Sequence, residues 1–381
     1  MGLRKIVDKL KPTFSEGGKL GFLASTFDAF ETFLFVPNTT TSKGAHIRDC
    51  NDMKRTMIVV VVALLPALLF GFCNTGYQHA LSVGATPEFW ASLWFGFLKV
   101  LPIIVVSYVV GLAIEFAFAQ VRGHEVNEGF LVTGLLIPMI MPVDIPLWMV
   151  AVATAFSVVF GKEVFGGTGM NVFNPALLAR AFVFFSYTPS ISGAEVWIAG
   201  LGSGEGIVDG FSGATPLEHM ATDGTLGYSA LDAFLGFIPG CIGETSTVAI
   251  LIGAAILLFT GIASWRTMIS VFVGGLAMGY LFQWTGVAAY PAWWHLIVGG
   301  FAFGAVFMAT DPVTSAQTDT GKYIVGLMTG ALAVLIRVVN PAYPEGMMLS
   351  ILFMNALAPL VDYYVVEANI RRRNKRVKSA K

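Results

Sequence analysis

The run TMIVVVVALLPALLFGFC, from Thr56 to Cys73, carries no charge and follows directly on Lys54 and Arg55. A helix needs about 20 predominantly apolar residues to cross a hydrocarbon core, fewer where it is broken or shielded by protein. The run therefore reads as a membrane span. Comparable runs follow at 89–119, 129–142, 146–160, 174–186, 246–261, 267–286, 293–309, 322–338 and 346–366. The expected fold class is an all-α polytopic membrane protein of about ten transmembrane helices.

Composition points the same way. The 381 residues include 23 Lys+Arg and 24 Asp+Glu, 12% of the chain, where soluble proteins carry about 25%. With 55% hydrophobic residues, 42 Gly and a mean hydropathy of +0.72, there is too little polar surface to cover a water-exposed globule. Gly-rich apolar runs instead suit helices packed in lipid. An ordinary soluble enzyme is excluded.

The placement of charge predicts sidedness. Nine of the 23 Lys+Arg lie in residues 1–55 and seven in 371–381, so both tails are expected in the cytoplasm by the positive-inside rule. Arg122, Lys162, Arg266 and Lys322 fall in loops that ten spans put on that same side. The segment 181–265 has seven acidic residues and no Lys or Arg and is expected outside. Lys99, Arg180 and Arg337 are exceptions within or near spans. The amino end opens on charge, without the early apolar stretch of a cleaved secretory signal, so the first span is expected to direct insertion. Cys50, Cys73 and Cys241 form no CxxC pair and give no disulfide framework or metal ligand set.

Asn174-Pro175-Ala176 opens the fifth run and Asn340-Pro341-Ala342 the tenth; Asp144 precedes the first by 30 residues and Asp311 the second by 29. The halves read as two inverted five-helix repeats, transporter-like, with broken helices near Pro142, Pro146 and Pro175 whose freed carbonyls could line a cavity. The expected organisation is a cytoplasmic arm at 1–55, a first repeat at 56–186, an outside loop at 187–245, a second repeat at 246–366 and a basic tail at 367–381. In the arm, Phe22, Leu23, Phe27, Phe30, Phe33 and Leu34 recur at helical spacing, as in an amphipathic helix lying on lipid or on the protein's own surface. The tail Arg371-Arg372-Arg373-Asn374-Lys375-Arg376 reads as an anchor to anionic lipid, and nucleic acid is not an expected partner.

In the outside loop stands Asp209-Gly210-Phe211-Ser212-Gly213-Ala214-Thr215-Pro216. Small residues open the backbone and Pro216 holds Thr215 extended, so its hydroxyl is accessible; an unremarkable turn would read the same. The residues also match the acceptor sequence for covalent flavin attachment, Asp-x-x-Ser/Thr-Gly-Ala-Thr. Over nearly its whole length the chain resembles the family of B subunits of the sodium-translocating NADH:quinone reductases. The resemblance rests on His46-Ile47-Arg48-Asp49 with Lys54-Arg55-Thr56-Met57, on Asn127-Glu128-Gly129-Phe130-Leu131-Val132-Thr133-Gly134, on GKEVFGGTGMNVFNPA (Gly161 to Ala176), on the flavin motif, and on Ala309-Thr310-Asp311-Pro312-Val313-Thr314-Ser315. The D subunits of the related Rnf electron-transport complexes share the motif but resemble this chain less at the front.

The resemblance implies electrons arriving from NADH through the partner A, C, D, E and F subunits, reaching FMN joined to Thr215 by a flavin transferase, crossing through a noncovalent riboflavin and reducing quinone, coupled to outward Na+ movement. It brings Asp209, Ser212, Gly213 and Ala214 into the flavin motif, and Asn171 and Asn174 into riboflavin contact, although both asparagines could equally cap a helix start. Gly111 and Glu115, one turn apart, match a pair implicated in quinone binding, with simple helix packing as the alternative reading of Gly111. Asp311 and Asp362 match acids associated with sodium uptake, or are helix-end residues with ordinary partners. Two other classes remain, a non-redox permease and a cofactor-free scaffold, and neither accounts for a complete flavin motif. No strand-embedded GxGxxG is present, so NADH is expected to bind elsewhere.

Overall fold

A computed structural model describes residues 3–14, 40–47, 53–122, 129–204, 210–222, 224–340 and 345–379, with isolated positions 18, 20, 21, 27, 31, 35, 207, 208 and 343. Among them it contains helices and no strand. Of the expected arm helix only Phe27 and Glu31 are described, and the rest lies outside the described residues; an earlier helix, α1 (Leu3–Phe14), contacts this region through Lys11 and Glu31 at 2.8 Å. Asp209, Asn127, Glu128, Pro341 and Ala342 also lie outside them.

Among the described residues five helices are long and apolar enough to cross a membrane. They are α2 (Met53–Ser82), α3 (Phe89–Arg122), α10 (Trp265–Trp284), α13 (Asp319–Val339) and α14 (Met347–Ser379). Their outward faces are apolar, as lipid requires: Leu65, Leu69, Val105, Val109, Ile269 and Val273 are all exposed. Their inward faces use small residues. On α10 and α13 the packing is close, since a Cβ on Gly274 would collide with the Leu327 carbonyl and one on Gly330 with that of Val271. In lipid, such backbone-to-backbone approach replaces the hydrophobic drive that water would supply.

The remaining helices are short and stop where the sequence breaks them. Helix α4 (Phe130–Met139) reaches only ten residues before Pro142. Helix α5 (Leu147–Val158) begins after Pro146 and runs into a π turn at Val159–Glu163. Helix α6 (Pro175–Ser186) starts at Asn174, whose Oδ1 accepts from the Ala176 and Leu177 amides at 3.0 and 3.3 Å. In the loop, α7 (Pro216–Thr222) and α8 (Ala230–Leu235) are brief, and α9 (Thr247–Phe259) is capped by Ser246. The run 293–309, which hydropathy presents as one span, is divided into α11 (Trp294–Ile297), α12 (Phe301–Phe303) and a π turn at Gly304–Met308. The break falls at Gly299, whose φ of +62° favours glycine.

Helical segments thus occupy each of the ten expected runs, five as full-length helices and five as shorter or divided ones. The two Asn-Pro-Ala landmarks differ locally: Asn174 caps α6 directly, whereas Asn340 ends α13 and α14 begins only at Met347.

The described residues of the loop 187–245 gather at one end of the bundle. The Ser82 carbonyl accepts from the Val208 amide at 2.9 Å, His79 Nδ1 lies 2.8 Å from the Ala199 carbonyl, and Asp144 accepts from the Gly200 amide at 2.5 Å. We call this the loop end. The tail end holds the start of α2, the last turn of α3 and the π turn after α5. From Thr56 to His79, α2 rises about 35 Å, enough to span a bilayer core.

Candidate functional site

At the loop end a cavity of about 240 Å³ is lined by Thr215, Glu218, Arg180, Glu244, Thr245 and Glu345, with Phe184, Trp197 and Tyr343 as its aromatic walls. Thr215 is half-buried at the start of α7, and its Oγ1 accepts from the Glu218 amide at 3.2 Å. The preceding turn is locked. Ser212 Oγ accepts from the Ala214 amide at 3.3 Å, and a Cβ on Gly213 would run into the Ala194 carbonyl and Leu201. The Tyr228 hydroxyl donates to the Ala214 carbonyl at 3.1 Å, and burial raises its pKa above the ordinary tyrosine value. Leu217 and Met220 pack with Ala233, Ile238, Trp294 and Val298 in a small apolar core, which fixes α7 to the divided helix α11–α12.

Behind Thr215 lies a buried charge cluster that sequence reading did not assemble. Arg180 donates to the Ile140 carbonyl at 2.7 Å, where α4 ends, lies 3.2 Å from Cys241 Sγ, and pairs with Glu345 and, at 3.6 Å, with Glu244. Arg337 donates to the carbonyls of His295, Val298 and Glu345 at 2.6, 3.0 and 2.9 Å. The two guanidiniums thereby satisfy backbone carbonyls left without helical partners where α4 and α11 stop. The only signal in the sequence was that Arg180 and Arg337 defied the charge rule, which marks a buried arginine as functional or structural.

At the tail end a second cavity, of about 120 Å³, is lined by Asn171, Asn174 and Asp311 together with Thr56, Lys162 and Thr310. Three residues singled out by sequence thus share one space. The cap at Asn174 uses the carbonyl half of its amide, and Asn171 Nδ2 donates to the Phe173 carbonyl at 3.2 Å. Asp311 is held locally, accepting from the Val313 amide at 3.0 Å and the Thr314 hydroxyl at 2.9 Å.

The other predicted residues are placed differently. Glu115 forms a buried ion pair with Lys162, itself in the wall of the second cavity, and Arg122 reaches the Glu163 carbonyl at 2.8 Å. Gly111 faces the Phe130 ring so closely that any Cβ would overlap it, which makes Gly111 a packing position. Asp362 stands apart from both cavities. Its carboxylate accepts from the Gln317 and Thr318 amides at 2.7 and 3.0 Å and from the Thr318 hydroxyl, closing the start of α13 from α14. Among the described residues no three His, Cys, Asp or Glu side chains gather as a metal centre.

Broken helices, capped by buried arginines and enclosing polar cavities at both ends of an apolar bundle, define a polytopic membrane protein. The chain belongs to the NQR2, RnfD, RnfE family, whose profile matches residues 40–371. It is 47% identical to the B subunit of the Na(+)-translocating NADH-quinone reductase of Chromohalobacter salexigens, over 99% of this chain and 97% of the relative. It is likewise 47% identical to the corresponding B subunit of Azotobacter vinelandii and 46% to that of Stutzerimonas stutzeri, each over 98% of this chain and 99% of the relative.

Proposed function

We propose that this chain is the membrane component through which a multi-subunit NADH:quinone reductase passes electrons to quinone while moving Na+ across the membrane. The observation that carries the flavin part is the position of Thr215: a half-buried hydroxyl, on a turn fixed by Gly213 and Tyr228, facing a cavity with aromatic and charged walls. That donor set fits FMN linked through its phosphate to Thr215 Oγ1. Ser212, Gly213 and Ala214 shape the turn, and Asp209 completes the motif. A bound isoalloxazine would supply one- and two-electron chemistry, and the chain would supply position, exclusion of water and charge.

A noncovalent riboflavin is assigned to the tail end beside the second cavity, with Asn171 and Asn174 offering amide groups to a ring edge. Helix α6 joins the cavities, which supports transfer between two sites in this one chain. Quinone is assigned to the tail end near Glu115, with Gly111 acting by seating Phe130. Asp311 and Asp362 are assigned to the Na+ entry route, Asp311 from within the cavity and Asp362 by fixing residues 317 and 318. The Lys and Arg distribution supports loop end outside and both tails cytoplasmic, and the family supports an inner-membrane location. The A, C, D, E and F subunits of the complex and a flavin transferase are the expected partners.

The test is to coexpress the chain with its flavin transferase, denature it and look for flavin fluorescence that stays with the polypeptide on a gel. Wild type should fluoresce and Thr215→Ala should not. A dark wild type, or a fluorescent Thr215→Ala, overturns the assignment.

A further inference from the structure

We propose that Glu244, Glu345 and Thr245 form a sodium site in the wall of the loop-end cavity, beside Thr215. The proposal rests on the reading of the chain as part of a sodium-translocating complex and deepens it by naming where the ion sits before it leaves.

The first support is convergence of oxygens. A Cβ built on Gly300 would lie 2.6 Å from Glu244 Oε2 and 3.2 Å from Glu345 Oε1, so both carboxylates meet over the backbone of the break between α11 and α12. The opposite oxygens are engaged: Glu244 Oε1 accepts from the Cys241 amide at 3.4 Å, and Glu345 Oε2 takes Arg180 and, at 3.4 Å, the Tyr343 hydroxyl. Of the two oxygens that face Gly300, Glu244 Oε2 also lies 3.6 Å from an Arg180 Nη1 that is shared with the Ile140 carbonyl, and no hydrogen bond between described residues ends on Glu345 Oε1. Paired carboxylates over an unwound helix are the hard-oxygen setting in which transporters hold Na+.

The second support is independent of the carboxylates. Thr245 lines the same cavity, is 4% exposed, and its Oγ1 is buried with no hydrogen-bond partner among the described residues. Its methyl is accounted for, since it is the nearest group to Gly240. A buried hydroxyl without a partner loses the free energy of one or more hydrogen bonds, and an ion or its bound water restores it.

Charge supplies the third argument. Three carboxylates, Glu218, Glu244 and Glu345, line the cavity against one guanidinium, Arg180. With all three acids ionised, counting Arg337, which is committed to backbone carbonyls, still leaves one negative charge in excess. A phosphodiester on Thr215 adds another. A cation in this wall relieves an imbalance that low-dielectric surroundings make costly.

The test is equilibrium binding of 22Na+ to the purified, intact complex, comparing wild type with Thr245→Val and Glu244→Gln. Thr245→Val keeps the shape of the side chain and removes only the hydroxyl, so it decides the matter if Glu244→Gln fails to assemble. We expect each variant to lose one sodium per complex or to need at least tenfold more sodium to fill it, with potassium a poor competitor. Wild-type isotherms in Thr245→Val overturn the site. In-gel flavin fluorescence of the same samples reports on Thr215 separately, so a dark wild type that still shows the sodium difference overturns the flavin assignment and supports the site.

Discussion

Asn174, the cap of α6, and Arg180 within that helix stand six positions apart, and they line different cavities, Asn174 the one at the tail end and Arg180 the one at the loop end. Six residues of helix rise about 9 Å. The bundle is therefore long in its outer helices and thin at its centre, because α4 and α6 stop short and let polar space enter from both ends. A short barrier between two polar cavities is what both electron transfer and alternating ion access require of a membrane protein.

The centre depends on Arg180. It joins the end of α4, Cys241, Glu244 and Glu345 while only 3% exposed. Arg180→Ala leaves two buried carboxylates without their counter-ion, a change that costs about 3–5 kcal/mol for a buried pair. The expected outcome is a large fall in the thermal inactivation temperature of the solubilised complex, with Arg180→Lys recovering part of it. A variant as heat-stable as wild type would show that Arg337 alone can hold the cluster.

Glu115 and Lys162 should behave as a unit. Both are buried, so Lys162→Met strands a carboxylate and Glu115→Gln strands an ammonium, and each single change should destabilise more than the double Glu115→Gln/Lys162→Met. Thermal inactivation of the four proteins makes a double-mutant cycle. Additive losses would mean that the two side chains do not sense each other.

At the tail end, Asp311→Ala should weaken the apparent sodium affinity of quinone reduction while covalent flavin stays intact. Asp362→Ala should do the same and, in addition, speed amide exchange at Gln317 and Thr318, whose N–H groups it binds. Sodium dependence unchanged in both variants would remove the two acids from the ion route, and unchanged exchange would contradict the cap.

Hydropathy was sufficient to locate the helical runs, because lipid imposes one requirement on every exposed residue of a span. It could not show that the run 293–309 is divided, since the break at Gly299 and Gly300 is a matter of backbone and these residues are apolar too. The Ser212–Thr215 turn and the residues Asn171, Asn174 and Asp311 could each be singled out from local sequence, but that the last three line one cavity could not. Nor was the charge cluster legible: Glu345 is 165 positions from Arg180, and the carbonyls that Arg180 and Arg337 hold come from α4 and α11. Gly111 was legible as a place of close approach, but the ring that approaches it is Phe130 of this same chain.

Gly299 gives the sharpest link between the divided helix and the flavin turn. Its φ of +62° disfavours a side chain, and an added Cβ would overlap Leu217, two residues beyond Thr215. The left-handed backbone alone costs an L-residue about 1–2 kcal/mol. In Gly299→Ala, Leu217 must move, α7 moves with it, and Thr215 is presented less well to the transferase. Covalent flavin per polypeptide should fall severalfold at unchanged expression, measured by in-gel fluorescence against protein stain. The companion change Leu217→Ala makes room for the new methyl and should restore part of the attachment in the double variant. Full attachment in Gly299→Ala would show that α7 is positioned without α11 and α12.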